Sequence, residues 1–160
     1  GSKPARVLVT RKFDPVRKAK EFLSEVTAAM GLEVKIEIHL KEQSLYINLL
    51  GSNMGILIGK RGQTLDSLQY LTNLVVNRCS APEYSVMLDT ENYRRRRRDT
   101  LETLALGLAK KVRATRKNVV LEPMSRYERH VIHTVLQNER GVKTYSEGVE
   151  PYRNVIISPK

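Results

Sequence analysis

Apolar residues recur in the first ninety positions with two different periods. A helical period begins behind Asp14-Pro15, where Asp suits the N-cap and Pro the first helical position, and it ends at Gly31. Apolar and polar residues then alternate over residues 34–40 and again over 45–49, which is typical of half-buried strands. The short polar link between the two runs predicts a β-hairpin.

A pair of helices interrupted by glycines is predicted after the hairpin. The first helix is short and reaches Ile58, the second is longer and ends near Cys79, and Gly59–Gly62 separates them. A third strand is predicted over residues 84–89. Residues 14–90 therefore predict one domain with the order α-β-β-α-α-β. Residues 1–13 are predicted to be a basic, mostly unstructured lead-in.

The remaining residues, 91–160, predict a second small domain. A long helix with an apolar stripe covers about residues 91–117, and a short strand follows. Ser125 and Glu128 then form a capping box that begins another helix, and two closing strands are predicted near residues 142–145 and 154–158. The expected fold class is α+β, with two small α/β sandwich domains, the second in the order α-β-α-β-β.

The charge of the chain indicates its class of partner. The formal net charge is +11, and it is unevenly divided. Residues 1–90 carry 12 Lys/Arg and 9 Asp/Glu, whereas residues 91–160 carry 16 and 8. A soluble chain this basic usually binds a polyanion. Basicity alone does not distinguish RNA from DNA or from an anionic membrane surface.

The single cysteine, Cys79, limits the chemistry that the chain can support. A disulfide framework and a cysteine-rich zinc site are excluded, which fits a reducing, cytoplasmic compartment. Because Cys79 ends an apolar stripe, we expect a buried structural thiol. No cofactor is predicted.

The segment from Ile58 to Leu65 carries the motif Gly59-Lys60-Arg61-Gly62, called the glycine loop below. Glycine allows the backbone to approach a phosphate closely, and the helix that starts at Gly62 offers free N–H groups with partial positive charge. Lys60 and Arg61 add two full charges, and Ile58 and Leu65 are the expected buried anchors. We interpret the loop as a clamp for a sugar-phosphate backbone. The alternative is a helix-to-helix turn with incidental charges.

Five consecutive arginines, 94–98, begin the long helix of the second domain. On a helical projection Arg95 and Arg96 point away from the apolar stripe, which makes them candidate nucleic-acid contacts. Positive charge at a helix N-terminus opposes the helix dipole, and this favours a polyanionic partner. The alternative is a solvated, charged helix.

The helix that begins at Ser125 is predicted to have an apolar side and a basic side. The apolar side comprises Tyr127, Val131, Ile132, Val135 and Leu136. The basic side comprises Arg126, Arg129, His130 and His133, together with the polar Gln137, and is predicted to be exposed. Such a face suits phosphates and base stacking. Two histidines one turn apart could share a metal ion, but no acid or cysteine completes a site, so no metal site and no enzyme activity are predicted.

These motifs resemble two known domains. Residues 14–90 resemble a prokaryotic type II KH domain, whose Gly-x-x-Gly loop grips about four nucleotides of a single strand. Arg129-x-x-x-His133 resembles the signature of the R-3-H domain, and Pro123-Met124, Ser146-Glu147-Gly148 and Arg153 agree with it. A KH domain followed by an R-3-H domain is similar to the bacterial SpoIIIJ-associated Jag family, also called KhpB or EloR. Members of that family carry a further N-terminal domain.

The resemblance implies a cytoplasmic protein that binds single-stranded RNA, with single-stranded DNA as the less favoured ligand. It implies a regulatory role in cell elongation, division or sporulation, and a small KH-only partner protein; a homodimer is left open. It also adds Arg153 to the expected site. Two positions depart from the family pattern, because His130 stands where a basic residue is expected and Asn154 where a second arginine is common. The rival function is a protein-interaction or membrane-surface module with a basic face.

Overall fold

The computed structural model describes residues 13–78, 80 and 82–160, and the chain divides into two compact units. The first unit ends at Tyr93 and the second runs from Arg94 to Lys160. Each has a three-stranded sheet among its described residues, which confirms the α+β class and the predicted order of elements. The predictions for Cys79 and for residues 1–12 lie outside the described residues.

The described part of the first unit contains three strands, three α-helices and one 3-10 turn. They are α1 (Pro15–Ala29), β1 (Val34–Lys41), β2 (Ser44–Gly51), α2 (Gly55–Ile58), the 3-10 turn (Lys60–Gly62), α3 (Gln63–Asn77) and β3 (Ser85–Thr90). As predicted, Asp14 caps α1, and its carboxylate accepts a hydrogen bond from the Arg17 N–H at 3.1 Å. Strand β2 lies at the centre of the sheet, antiparallel to β1 and parallel to β3.

The parallel pairing of β2 and β3 explains where the glycine loop lies. Two parallel neighbours need a crossover connection, and α2, the glycine loop and α3 are that connection. Leu57 and Leu65 are completely buried in the core with Leu23, Leu45 and Leu88. They anchor the helices on the two sides of the loop. The predicted anchor Ile58 is only partly buried, so Leu57 takes that role instead.

The second unit builds its core between two helices and an antiparallel sheet. Its elements are α4 (Tyr93–Thr115, whose first residue still belongs to the first unit), β4 (Val119–Val120), α5 (Arg126–Leu136), β5 (Val142–Glu147) and β6 (Asn154–Pro159). Strand β6 is central, between β4 and β5. Leu101, Ile132 and Ile157 are fully buried members of the core. Packing in this core therefore determines that the side of α5 that carries Ile132 faces inward.

The predicted capping box at the start of α5 is present. The Ser125 hydroxyl accepts from the Glu128 N–H at 3.3 Å, and the Glu128 carboxylate accepts from the Ser125 N–H at 3.2 Å. Glu128 is only 6% exposed and also accepts a 2.7 Å hydrogen bond from Arg97 Nε on α4. This second bond ties the first turn of α5 to α4.

Candidate nucleic-acid interface

Both glycines of the glycine loop have backbone conformations that a side chain would not tolerate. Gly59 has φ 68° and ψ −168°, a region used almost only by glycine, and Gly62 has φ 83° and ψ 5°. A Cβ at Gly59 would overlap the Thr64 hydroxyl and lie 2.8 Å from Thr64 Cβ. A Cβ at Gly62 would lie 2.7 Å from Cε1 of Tyr93, the last residue of the first unit. Steric constraints therefore require that the backbone at these two loop positions carries no side chain.

The electrostatics of the glycine loop favour an anion. Lys60 is exposed, and Arg61, which has φ 57°, is partly buried. The 15-residue helix α3 starts directly behind the loop at Gln63, and Gly62 at its N-cap position makes no side-chain capping bond. The N–H groups of the first turn and the dipole of α3 thus face the loop with partial positive charge. Asp66, also in the first turn, opposes part of this charge.

Arg129 is not on an exposed face, and the prediction of its exposure was wrong. The residue is 6% exposed, and its Nη1 donates to the Met124 carbonyl at 2.7 Å. Its guanidinium also grips the Glu150 carboxylate with both terminal nitrogens. The helical projection missed this because the segment after β5 covers that side of α5. No local pattern links Arg129 to an acid 21 residues away.

His133, the second member of the motif, is partly buried and has both ring nitrogens engaged. Nδ1 lies 2.7 Å from the Thr144 hydroxyl, and Nε2 lies 2.7 Å from the Ser146 hydroxyl. One ring nitrogen donates and the other accepts in a neutral imidazole. Burial lowers the pKa of His133, and the charges of Arg129 and His130 lower it further. At pH 7 the ring is therefore neutral and holds α5 to β5.

Arg153 lies in the same segment and also contacts backbone. Its guanidinium donates to the carbonyls of Gly148 at 3.3 Å and Ser146 at 3.4 Å. The structure thus brings Arg129, His133 and Arg153 together around residues 144–153. The hydrogen bond from Arg129 lowers the pKa of Glu150, and the charges of Arg129, Arg153 and Arg126 act in the same direction. No pattern in the sequence indicates Glu150, whose carboxylate binds Arg129 and lies near Arg153 and Arg126.

The other predicted contacts on α4 and α5 are exposed. Arg95, Arg96, Arg126 and His130 all belong to this group. Tyr127 was predicted to be buried, and that prediction was wrong, because the residue is 57% exposed. Glu128 takes the inward position at the start of α5 instead, since it completes the capping box and pairs with Arg97. An aromatic ring is therefore exposed on α5 together with Arg126 and His130.

Two other kinds of feature are missing from the described part of the chain. Over residues 13–78, 80 and 82–160, no three His, Cys, Asp or Glu side chains are grouped so as to hold a metal ion. Within the same residues, none of the helices combines the length and the apolar character that a membrane span requires.

Known proteins resemble the chain over its whole length. The profile of the KhpA/KhpB KH domain matches residues 17–88, and that of the R-3-H domain matches residues 99–159. The RNA-binding protein KhpB of Clostridium symbiosum is 54% identical over 162 residues, which cover 100% of this chain and 73% of that protein. The RNA-binding protein KhpB of Bacillus subtilis is 38% identical, with 100% and 78% covered. The protein of the same name from Streptococcus pneumoniae is 31% identical, with 93% and 46% covered.

Proposed function

The chain belongs to the KhpB family of proteins with a KH domain and an R-3-H domain, and from this membership we propose that it binds single-stranded RNA through the glycine loop. The observation that carries the proposal is the loop itself. Its two glycine positions exclude a side chain, buried leucines anchor the helices beside it, and α3 directs N–H groups toward it. Such a loop accepts a phosphate of a flexible backbone.

The surroundings of the loop favour a single strand over a duplex. Ile56 on α2 is 54% exposed three residues before Gly59, and it offers apolar surface to an unstacked base. Bases are available for such contacts in single strands, whereas an RNA duplex hides them in a deep, narrow groove. RNA is favoured over single-stranded DNA because the relatives are named RNA-binding proteins.

The proposed site residues act in two ways. Gly59, Lys60, Arg61 and Gly62 contact the strand at the loop, and the exposed Arg95, Arg96, Arg126 and His130 add attraction for phosphates. Arg129, His133 and Arg153 are partly or fully buried. They support the exposed contact residues of the second unit indirectly, because they keep residues 144–153 in place. Their hydrogen bonds to backbone, hydroxyl and carboxylate groups are the support for that role.

Charge reversal in the glycine loop tests the proposal. The variant Lys60→Asp/Arg61→Asp is compared with Lys18→Asp/Lys20→Asp, which makes the same change in net charge at two positions of α1. The affinity of the full chain for a fluorescent single-stranded RNA is measured by anisotropy at several salt concentrations. We expect the loop variant to bind at least about tenfold more weakly, with a salt slope reduced by roughly 0.7 for each lost phosphate contact. Equal weakening by both variants would contradict the proposal.

We also propose that the protein is not an enzyme, because its relatives are named for RNA binding. We further propose that it acts in the cytoplasm and that its RNA binding regulates cell elongation, division or sporulation. Crosslinking in cells and sequencing of the bound RNA would identify the regulated transcripts. If transcripts are enriched in crosslinks to the unchanged protein no more than in crosslinks to the Lys60→Asp/Arg61→Asp variant, the result would argue against a regulatory role for the loop.

A small KH-only protein is the partner that we propose for the first unit. Tyr70, Leu71 and Leu74 on α3 are 63%, 46% and 49% exposed and form an apolar surface on one helix. A homodimer is the alternative. Analytical ultracentrifugation of the chain with and without the KH-only protein of the same organism distinguishes them. Leu74→Asp should abolish the complex, and a dimer of the chain alone would contradict the proposed partner.

A further inference from the structure

Two neighbouring cavities flank α5 in the second unit. The larger, about 370 Å³, lies between α5 and β5 and is lined by His130, Thr134, Lys143 and Lys160 among others. The smaller, about 180 Å³, lies between α4 and α5 and is lined by Arg98, Tyr127, His130 and Thr134 among others. Because His130 and Thr134 line both, the cavities adjoin each other. Tyr127, His130 and Thr134, at i, i+3 and i+7, form one line along the helix that we call the α5 ridge.

The larger cavity has the chemistry of a nucleotide site. Lys143 and Lys160 supply positive charge, and no Asp or Glu belongs to the described residues that line it. Leu136 and Val142 contribute apolar surface to the same cavity. Its volume lies within the range of about 300–1,000 Å³ that is usual for small-molecule sites. A phosphate can therefore meet the lysines, while Leu136 and Val142, which are 2% and 3% exposed, form an apolar floor under the nucleotide.

The smaller cavity offers a stacking surface. Tyr127, which is 57% exposed, lines it beside Arg98, whose Nε donates to Glu102 at 2.8 Å. Exposed aromatic rings and guanidinium planes are the groups on which unstacked bases of a single strand lie. Val131 and Val135 line the same cavity. This space suits a single base held against Tyr127, with Glu102 limiting the local positive charge.

The side of α5 that carries Arg129 is less suitable for binding a strand of RNA. There the Arg129 guanidinium already binds the Glu150 carboxylate and the Met124 carbonyl, and it is almost completely buried. A phosphate would have to displace a carboxylate that is held by two nitrogens. Of the arginine–histidine motif, Arg129 thus belongs to the supported side of α5, whereas His133 also lines the larger cavity.

We propose that two consecutive nucleotides of the bound RNA occupy these two cavities, with His130 between them and one base stacked on Tyr127. The second unit then contacts RNA along the α5 ridge, with Lys143 and Lys160 binding phosphate. The inference rests on the proposed RNA binding and adds a contact surface that is independent of the glycine loop. Tyr127, Lys143 and Lys160 thereby contribute to the affinity for RNA.

Photocrosslinking of the full chain locates the contact. A single-stranded RNA that carries 5-iodouridine at successive positions is irradiated with the protein, and the crosslinked peptides are identified by mass spectrometry. We expect crosslinks at Tyr127 or His130 in addition to those near the glycine loop. Crosslinks near the loop alone would overturn the inference and leave the proposed function standing. A chain that does not bind the RNA at all would overturn both.

Substitutions measure the size of the contact. Tyr127→Ala should weaken RNA binding about tenfold, the usual scale for losing one base–aromatic stack, while Tyr127→Phe retains the affinity. Tyr152→Ala is the matched control, because Tyr152 is 76% exposed in the same unit and lines neither cavity. Lys143→Glu should lower the salt slope by about 0.7, the value for one single-strand phosphate contact, whereas Lys111→Glu should not. Unchanged affinity in Tyr127→Ala, or equal losses in Tyr127→Ala and Tyr152→Ala, would refute the stacking contact.

Discussion

Replacement of Arg129 by alanine separates a supporting role from a direct contact with RNA. Arg129 is 6% exposed and donates a 2.7 Å hydrogen bond to the Met124 carbonyl. A hydrogen bond from a charged donor contributes about 1.5–3 kcal/mol, and the truncation also leaves that carbonyl without this donor. The partner carboxylate of Glu150 is largely exposed, so the ion pair adds little to the total. We therefore expect Arg129→Ala to lower the free energy of unfolding of the second unit by about 2–3 kcal/mol.

Native-state hydrogen exchange with mass spectrometry is the suitable assay, since it reports on each unit separately. Peptides from α5, β5 and β6 should lose protection in Arg129→Ala, and peptides from β1, β2 and β3 serve as the internal reference. Arg126→Ala is the matched control, because Arg126 is an exposed arginine on the same helix. It should leave protection unchanged and weaken RNA binding modestly. Intact protection in Arg129→Ala together with a tenfold loss of RNA affinity would refute the reasoning and make Arg129 a direct contact.

Three further substitutions or conditions test the remaining features. Gly59→Ala should destabilise the first unit and weaken RNA binding, because the new Cβ would lie 2.8 Å from Thr64 Cβ. Gly55→Ala is the control and should be tolerated, because a Cβ at Gly55 would have no atom within 4 Å. Urea denaturation followed by circular dichroism compares the stability of the two variants. Burial lowers the pKa of His133 from its usual value near 6.5, so its contribution to stability is full above about pH 6.5 and is lost as pH falls through the lowered value. An NMR titration midpoint for His133 above 6.5 would contradict this sign. Gly107→Ala, in open space on α4, should raise the free energy of unfolding by about 0.5–1 kcal/mol in the same urea assay.

Local features of this chain were predictable because neighbouring residues create them. The Asp14 cap, the Ser125–Glu128 capping box and the alternation in β1 and β2 each depend on residues within a few positions of one another. The glycine loop belongs to the same class, since its charges and its missing side chains are visible in four consecutive letters. The order of elements in both units followed from these signals.

The orientation of side chains around α5 was decided by tertiary structure. A helical projection placed Arg129 in solvent and Tyr127 in the core, and the structure reverses both. The reversal arises because the carboxylates of Glu128 and Glu150 pair with Arg97 and Arg129 across distances in sequence that no periodicity encodes. A buried guanidinium needs hydrogen-bond acceptors, and only the folded chain brings the Met124 carbonyl and the Glu150 carboxylate to Arg129.

The sequence by itself thus determined the α+β class, the order of elements and the glycine loop with its bare backbone, because each depends on local sterics and hydrogen bonding. Only the tertiary structure decided which residues of α5 support the fold and which remain exposed. It also decided that Leu57, and not Ile58, anchors the loop. The physical reason is common to both outcomes: burial depends on what the rest of the chain packs against a residue, and that is set by contacts distant in sequence.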